Sequence, residues 1–408
     1  MQGYGVKPIK NEAMSNILYV SRSGLPKDAP SLRVDRLARL LQSVGYDVTI
    51  MSSRTDEQSV PISEHKQNDY KVVENGVVYL FPYRRVCRWY SKYLSFYELM
   101  FASTLYHRIV SYCNKNKPTA IILYNDIYFL TKRLLNYCKR NHISLFADVT
   151  EWYEKKSIAA SLSSRVVPIL VNKRITTLDH KLDGVIAISP YLYDYYSARI
   201  SNVVFIPPLM PIEQFVPYDT KELRSLVYAG SPGDKDILLP LLEAYYLVNS
   251  TGVKIGLNLI GLNEQDIKNS WRDISLDKYG IRCFGRLPHN ETLKVIRSSE
   301  FGVLLRHDLR YAKAGFSTKF AECLSLSVPM ICNLVGGCDM LITNNKDGLL
   351  LNNINVATIV DCLEKIIKLP EDEYIDMKKC AFKKAHELFD YINYQRKLKE
   401  FIDYEGTH

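Results

Sequence analysis

Residues 313–329, KAGFSTKFAECLSLSVP, combine residue types that suit an anion followed by hydroxyl groups. A glycine, two hydroxyl residues and a lysine open the segment, and Glu322 follows about one helical turn later. Gly315 allows a close approach of the backbone to a ligand. If a helix begins here, the amides of residues 317–319 have no helical acceptor and point towards an anion, with the helix dipole behind them. By itself the segment fits a buried helix with a surface glutamate equally well.

Alternating strands and helices predict the two sheets that must position such a segment. In the first half, a strand, a loop, a helix ending at Gly45 and a second strand form a βαβ unit, which implies a parallel sheet. The predicted strands are 16–20, 46–53, 76–83, 119–124, 143–149, 184–189 and 202–208, then 225–230, 254–261, 280–287, 301–306, 329–333 and 348–351. A proline-rich segment, 207–222, separates the two sets and is interpreted as a linker.

This order predicts an α/β protein with two Rossmann-like, doubly wound domains that face a cleft. We assign residues 1–210 to an N-terminal domain and residues 211–370 to a C-terminal domain. Residues 371–408 are predicted to be C-terminal helices that cross back to the N-terminal domain. Ligands of such sheets bind at the carboxyl ends of the strands.

Composition restricts the protein class and the partners. The chain has 408 residues, of which 47% are apolar and 24% charged, as in ordinary globular proteins. Its nine cysteines form no Cys-x-x-Cys pair, the N-terminus lacks an apolar signal core, and no apolar run approaches a bilayer-spanning length. These features predict a cytoplasmic protein. The net charge of +9 favours anionic partners, but the sequence contains no nucleic-acid-binding motif, and we expect no nucleic-acid partner.

Five segments in a fixed order resemble the retaining glycosyltransferases of family 4, the "group 1" transferases with the GT-B fold. The segments are YAGSPGDKD (228–236), LIG (259–261), FGRLPHNETL (284–293), GFSTKFAECLSLSVPMICN (315–333) and GGCDMLITNNKDGLLL (336–351). The family transfers a sugar from a nucleotide-sugar donor with retention of configuration and needs no bound metal. The resemblance therefore implies no cofactor, no metal site and a UDP- or GDP-linked sugar as donor substrate. It also implies that the N-terminal domain, residues 1–210, lies on the acceptor side and that the C-terminal domain, residues 211–370, binds the nucleotide sugar.

The resemblance also implies roles for single residues at the donor site. In the family, the glutamate that matches Glu322 binds the ribose hydroxyls, and the segment before it binds the pyrophosphate and the sugar. A lysine after the first glycine of the C-terminal domain neutralises the leaving group, and Lys235 matches it. The predicted donor-binding residues are Gly24, Gly230, Ser231, Lys235, Arg286, Gly315, Phe316, Ser317, Thr318, Lys319 and Glu322.

Two positions depart from the family pattern. Ser231 stands where relatives usually have an arginine, and Ala314 stands where they often have a second glutamate that contacts the donor sugar. Asp308 or a backbone group would have to replace that acid, so the donor sugar stays open. Asp234 and Asp236 also match the Asp-x-Asp pattern of metal-dependent transferases. Because this pattern follows Gly-Ser-Pro-Gly and opens a predicted helix, where acids favour the dipole, we interpret it as helix capping.

In the N-terminal half, Asp148 and Glu151 are the polar groups available in ADVTEWYEKKS (147–157), at the carboxyl end of a predicted strand, where the family commonly has a histidine-containing segment. Either carboxylate could orient the acceptor hydroxyl or take its proton, so both are catalytic candidates beside Lys235. Loop and helix capping is an equally good interpretation of the two. Arg33, which begins the first helix, is a candidate for acceptor binding, with a plain surface arginine as the alternative.

The segment 84–109 mixes cations with aromatic side chains, a combination that suits an anionic membrane surface or a groove for an acceptor saccharide. A helix packed on its own sheet explains the pattern equally well. The candidate acceptor or membrane residues, besides Arg33, are Arg85, Arg88, Trp89, Lys92 and Tyr93.

The sequence thus predicts a hexosyltransferase-type, metal-independent enzyme that transfers a sugar from a nucleotide sugar to a saccharide or a lipid-linked saccharide. We expect it to act in bacterial surface-polysaccharide synthesis, in the cytoplasm or at the inner face of the membrane. Two alternatives remain. One is a catalytically degenerate binding or scaffold subunit, favoured by Ala314 and Ser231, and the other is a sugar-nucleotide epimerase of the same fold.

Overall fold

The computed structural model describes residues 15–22, 24–26, 28–53, 70–82, 101–154, 162–212, 223–230, 236–272, 275–335 and 341–404. These residues form two α/β units, each built on one predominantly parallel sheet. The fold class predicted from the sequence is therefore confirmed.

The first sheet has eight strands in the order β3-β4-β2-β1-β5-β6-β7-β8. Neighbouring strands run parallel except β3, which pairs antiparallel with β4 at one edge. The central strands read as apolar runs because helices cover both faces of a parallel sheet. The strands are β1 (Asn16–Ser21), β2 (Asp47–Ser52), β3 (Tyr70–Glu74), β4 (Val77–Phe81), β5 (Ala120–Tyr124), β6 (Ser144–Val149), β7 (Gly184–Ala187) and β8 (Val203–Phe205).

Five described helices accompany this sheet. They are α1 (Ala29–Ser43), α2 (Ser103–Asn116), α3 (Tyr128–Asn141), α4 (Leu162–Thr177) and α5 (Pro190–Ser197). Helix α1 begins at a capping box in which Asp28 and Ser31 satisfy each other's backbone amides. Its apolar face carries Val34, Leu37 and Leu41 into the core beneath β1 and β2.

The second sheet has six strands, all parallel to their neighbours, in the order β11-β10-β9-β12-β13-β14. The strands are β9 (Ser225–Ala229), β10 (Gly256–Ile260), β11 (Ile281–Gly285), β12 (Phe301–Leu304), β13 (Met330–Asn333) and β14 (Gly348–Leu351). The accompanying helices are α6 (Leu239–Val248), α7 (Glu264–Ser270), α8 (His289–Arg297), α9 (Arg310–Ala314), α10 (Thr318–Ser325), α11 (Val356–Lys368) and α12 (Glu371–Phe389).

The chain crosses between the two units twice, and the two crossings touch. The outgoing segment passes through Met210, which forms a parallel bridge with Asp390 on the return. Helix α12 still packs on the C-terminal unit, where Ala385 and Phe389 lie in the core around α10. The last helix, α13 (Gln395–Ile402), packs against α1 and β8 and contributes Phe401 to the N-terminal core. The return to the N-terminal unit thus occurs at Asp390.

The predicted linker and strand β3 show where the pattern and the structure differ. Strand β3 was not predicted, because its half-exposed residues lack a continuous apolar run. Residues 207–212 of the predicted linker are mostly buried between the units, and residues 213–222 lie outside the described residues. Among the described helices, none is both long and apolar enough to cross a membrane.

Candidate functional site

Helix α10 begins at the carboxyl edge of the second sheet with free backbone donors. Gly315 and Ser317 are extended, and the Ser317 hydroxyl accepts a hydrogen bond from the Phe320 amide at 3.4 Å, which makes Ser317 the N-cap. In the described part of the chain, no acceptor is found for the amides of Thr318 and Lys319. These two amides and the helix dipole therefore form the kind of terminus that binds an anion.

The side chain of Lys319 turns back to the end of β9, where it enters a buried polar cluster. Its Nζ lies 2.5 Å from Asp236 Oδ2 and 3.0 Å from the Tyr228 hydroxyl. Arg306, just beyond β12, donates from Nε to Asp236 Oδ1 at 3.0 Å, and Tyr228 donates to Oδ2 at 2.8 Å. Burial would raise the pKa of Asp236, but Lys319 and Arg306 together lower it, so the carboxylate is ionised.

Two glycines bring backbone close to Lys319. Gly230, directly after β9, has φ +123°, and a Cβ built there would lie 2.5 Å from Lys319 Cε and 2.8 Å from Nζ. Gly261, directly after β10, has φ +90°, and a Cβ there would lie 2.8 Å from the carbonyl carbon of Gly230. A side chain at Gly261 would displace the backbone of Gly230, whereas one at Gly230 would displace only the end of the Lys319 side chain but would be strained by the positive φ.

Glu322 lies one turn into α10, in an environment formed by both units. Its side chain is 13% exposed, and Oε1 lies 3.8 Å from Nδ1 of His289 on α8. Burial raises the pKa of Glu322 to about 7, although Arg36 and Lys319 act in the opposite direction. Arg36 comes from α1 of the N-terminal unit and donates to the carbonyl oxygen of Leu209 at 2.7 Å. The carboxylate thus faces cations from both units.

Helix α9 attaches the segment before α10 to the N-terminal unit. The Ser189 hydroxyl donates to the Ala314 carbonyl oxygen at 2.7 Å, and Arg310 donates to the Tyr153 carbonyl oxygen at 2.6 Å. The methyl group of Ala314 is fully buried and belongs to the N-terminal apolar core. Phe316 also packs against this core and against the core around α10. Ala314, where the transferases that the sequence resembles often have an acid, is therefore a packing contact between the units.

Asp148 and Arg33 form a buried ion pair below the strand ends. Arg33 Nη2 lies 2.6 Å from Asp148 Oδ1, and the Tyr19 hydroxyl donates to Oδ2 at 2.6 Å. Arg33 Nη1 also donates to the Ile206 carbonyl oxygen at 3.0 Å. Asp148 is 0% exposed and Arg33 is 7% exposed. The catalytic role of Asp148 and the acceptor role of Arg33 stay predictions, and this burial gives both side chains a structural function.

Glu151 lies nearer to the boundary between the units. Tyr153 donates a short hydrogen bond to its Oε2, and the Tyr311 hydroxyl of α9 lies 3.4 Å from its Oε1. Residues of both units therefore contact this carboxylate, which remains a candidate for orienting an acceptor.

The remaining predicted residues are dispersed. A Cβ built on Gly24 would meet no atom of the described residues within 4 Å, and Arg286 is exposed beyond β11. Asp308, the proposed substitute for an acid at position 314, is exposed and paired with Lys313 at 2.7 Å. Seven predicted residues lie outside the described residues, namely Ser231, Lys235, Arg85, Arg88, Trp89, Lys92 and Tyr93.

Helix capping was the wrong interpretation for Asp236. Helix α6 begins at Leu239. Asp236 instead forms an antiparallel backbone bridge with Arg306, and its carboxylate forms ion pairs with the side chains of Arg306 and Lys319. The sequence pattern could not show this because Arg306 and Lys319 lie about 70 and 83 positions further along the chain. Among the described residues, no group of three or more His, Cys, Asp and Glu side chains could hold a metal ion.

Arg36, Arg306 and Tyr228 were missed at the sequence level. Arg306 directly follows the buried strand FGVLL, so a cation at a strand's carboxyl end was a usable signal. Arg36 gave no signal, because an arginine within an amphipathic helix normally faces solvent. Only the approach of the second unit places it beside Glu322.

Comparison with solved structures identifies the architecture as the GT-B fold. Sucrose-phosphate synthase from Thermosynechococcus elongatus matches with a TM-score of 0.66 and 13% identity, over 95% of this chain and 98% of that one. A glycosyltransferase from Rickettsia africae matches with a TM-score of 0.66 and 13% identity, over 96% of this chain and 98% of that one. Anabaena HepE, solved in complex with UDP and glucose, matches with a TM-score of 0.62 and 12% identity, over 95% of this chain and 98% of that one.

These identities establish a shared fold and nothing about activity. No protein-family model matches the chain. No curated protein matches it either.

Proposed function

We propose that this protein is a glycosyltransferase that uses a nucleoside-diphosphate sugar as donor. The observation that carries the proposal is the arrangement on α10, where free amides at Thr318 and Lys319 precede the carboxylate of Glu322 by about one turn. An anion site followed by a carboxylate that can accept two hydroxyl groups matches the diphosphate and ribose of such a donor. Solved relatives of the fold support this, since HepE was crystallised with UDP and glucose.

The finer features of the proposal rest on the family resemblance. We propose transfer of a hexosyl group with retention and without a metal, from a UDP- or GDP-linked donor to a saccharide or lipid-linked saccharide. Bacterial surface-polysaccharide synthesis is the proposed setting, in the cytoplasm or at the inner membrane face. Glu151, at the boundary between the units, is the proposed group for orienting the acceptor hydroxyl. Cleft closure would exclude water from the donor.

Ala314 favours a second candidate function, a nucleotide-binding subunit that lacks transferase activity. Its methyl group is buried against the N-terminal unit and offers no acceptor to a sugar hydroxyl. This candidate predicts nucleotide binding without turnover.

The experiment is a thermal-shift screen of UDP-, GDP-, ADP- and dTDP-sugars, followed by calorimetry and assays of donor hydrolysis and transfer. A ligand that binds only the folded protein at a hundredfold excess over its Kd raises stability by about 2.7 kcal/mol. Glu322→Ala should lose this shift, while Glu291→Ala, an exposed position on α8, should keep it. Absence of binding for every nucleotide sugar would overturn the proposal, and binding without hydrolysis or transfer would favour the second candidate.

A further inference from the structure

Three neighbouring helices of the N-terminal unit, α2, α3 and α4, carry no acidic residue. They contain two, four and three Lys or Arg residues respectively. The chain has 44 acidic residues in 408, a proportion that would place about five in helices of 14, 14 and 16 residues. Each of the other described α-helices longer than five residues contains at least one Asp or Glu. Positive charge is therefore segregated onto these three helices.

The outward surface of α2, α3 and α4 forms one continuous area, which we call the basic face. All three helices pack on the same side of the first sheet, where Ile109 of α2, Leu134 of α3 and Val171 of α4 belong to one apolar core. Helix α3 contacts both α2 and α4, so the three lie side by side. Among the described residues, no ion pair is found for five exposed cations of the basic face, namely Lys115, Lys132, Lys139, Arg140 and Lys173.

Apolar and aromatic side chains lie among these cations. Ile169 on α4 is 62% exposed, and Phe101, just before α2, is 38% exposed. The Phe101 ring lies 5.1 Å from that of Phe129, and Lys173, one turn after Ile169, lies 4.5 Å from the ring centre of Tyr128. Lys and Arg beside aromatic and aliphatic side chains suit the head-group region of an anionic bilayer. A nucleic acid would attract the cations equally but would leave Ile169 without an apolar partner.

The apolar part of the basic face lies at the edge of the sheet that also carries Glu151. Helix α3 begins at Tyr128, shortly after β5, at the carboxyl edge of the first sheet. Asn125, between β5 and α3, accepts a hydrogen bond from the Thr150 amide at 2.9 Å, and Thr150 directly precedes Glu151. A bilayer that covers the starts of α2 and α3 would therefore lie beside the candidate acceptor site.

We propose that the basic face is a docking surface for an anionic phospholipid bilayer. Its Lys and Arg side chains would pair with lipid phosphates, while Ile169 and Phe101 would enter the head-group layer. The docking is independent of the proposed function, whereas the encounter of the cleft with a lipid-linked acceptor at that surface rests on it. The sequence indicated membrane contact only for residues 84–109, so α3 and α4 were not candidates.

The test is co-sedimentation of the full-length protein with vesicles of phosphatidylcholine alone or with about 30 mol% phosphatidylglycerol. We expect binding to the anionic vesicles only, and weaker binding when the salt concentration rises from about 0.05 to about 0.5 M. The double variant Lys132→Gln/Lys173→Gln should bind about thirtyfold more weakly, because each lysine near an anionic surface contributes about fivefold. Ile169→Ser should bind about fivefold more weakly, because it removes the apolar contact.

The matched control is the double variant Lys294→Gln/Lys379→Gln, which removes the same charge from the C-terminal unit. Lys294 is 71% exposed on α8 and Lys379 is 58% exposed on α12, so this control should bind vesicles like the wild type. An equal loss in the control and in Lys132→Gln/Lys173→Gln would show attraction by net charge alone and would overturn the proposal.

Wild-type protein that does not bind anionic vesicles also overturns the docking surface, as does unchanged binding in Lys132→Gln/Lys173→Gln. If this variant does not fold, Lys139→Gln/Arg140→Gln on α3 replaces it with the same expected loss. Binding of double-stranded DNA together with unchanged vesicle binding in Ile169→Ser would assign the face to polyanions in general and overturn the bilayer. Because vesicle binding requires no nucleotide, its failure leaves the proposed function intact, and failure of nucleotide binding leaves the docking intact.

Discussion

Replacing Glu322 by glutamine should stabilise the unliganded protein while weakening nucleotide binding. In the folded protein, burial raises the pKa of this carboxyl from 4.5 to about 7. The folded state therefore holds a proton between these pH values that the unfolded state has lost. The free energy of unfolding then falls as the pH rises through this window. Glutamine cannot ionise, so the variant does not lose stability through a buried charge at high pH.

The size of the effect follows from the pKa difference. One pKa unit corresponds to 1.36 kcal/mol, so the raised pKa of Glu322 lowers the free energy of unfolding by about 3 kcal/mol at pH 8 and by almost nothing at pH 4.5. Glu322→Gln should recover this difference. Arg36 and Lys319 already reduce the shift, so the difference is a net value. Nucleotide affinity should change in the opposite direction, because the amide cannot accept two ribose hydroxyls as a carboxylate does.

The assay is urea unfolding of both proteins at pH 4.5, 6 and 8 without nucleotide, together with calorimetric titration of UDP at pH 8. Glu291→Gln serves as control, because its side chain is exposed on α8 and should change stability by less than about 0.5 kcal/mol. A Glu322→Gln variant that is less stable than the wild type at pH 8 would refute the reasoning. So would a stability difference that does not grow between pH 4.5 and pH 8.

Three further changes test neighbouring parts of the molecule. Gly230→Ala should weaken diphosphate binding at least tenfold in calorimetry, since its Cβ would lie 2.5 Å from Lys319 Cε; unchanged affinity would show that the lysine can move without loss. Asp148→Asn should lower the free energy of unfolding by about 3 kcal/mol in urea, because Arg33 loses its buried carboxylate; lost transfer activity at unchanged stability would instead support catalysis. Ser189→Ala removes the hydrogen bond to the Ala314 carbonyl oxygen and also the N-cap of α5, so it should lower the free energy of unfolding in urea by about 2 kcal/mol, with no effect on uridine affinity.

Most of the fold was readable from local patterns. Strands such as β5, AIILY, are short apolar runs bounded by polar turns, and their alternation with helices requires parallel sheets. Strand β3 was not predicted because it lies at a sheet edge, where it is defined by pairing with β4 and not by buried apolar residues. The sequence also did not show where the chain returns to the N-terminal unit, since α12 and α13 are both charged, amphipathic helices yet pack on different units.

The site was only partly readable. The start of α10 carries its signal locally, because Gly315, Ser317 and Glu322 are close in sequence. The burial of Asp148 was not predictable, since an acid near the end of a strand gives the same local pattern whether it meets substrate or a buried arginine. Its partner Arg33 lies 115 positions away. No local pattern can distinguish the two environments.

The sequence alone determined the α/β architecture, the helix start at residues 315–319 and the carboxylate one turn later, because each depends on residues within one element or on a regular alternation. Tertiary structure alone decided which charges meet. Two sheets and their helices bring Asp236 to Lys319 and Arg306, and Arg36 of the N-terminal unit to Glu322. Ionisation and charge balance depend on burial and on distances of a few ångströms between remote residues, which only the packed chain defines.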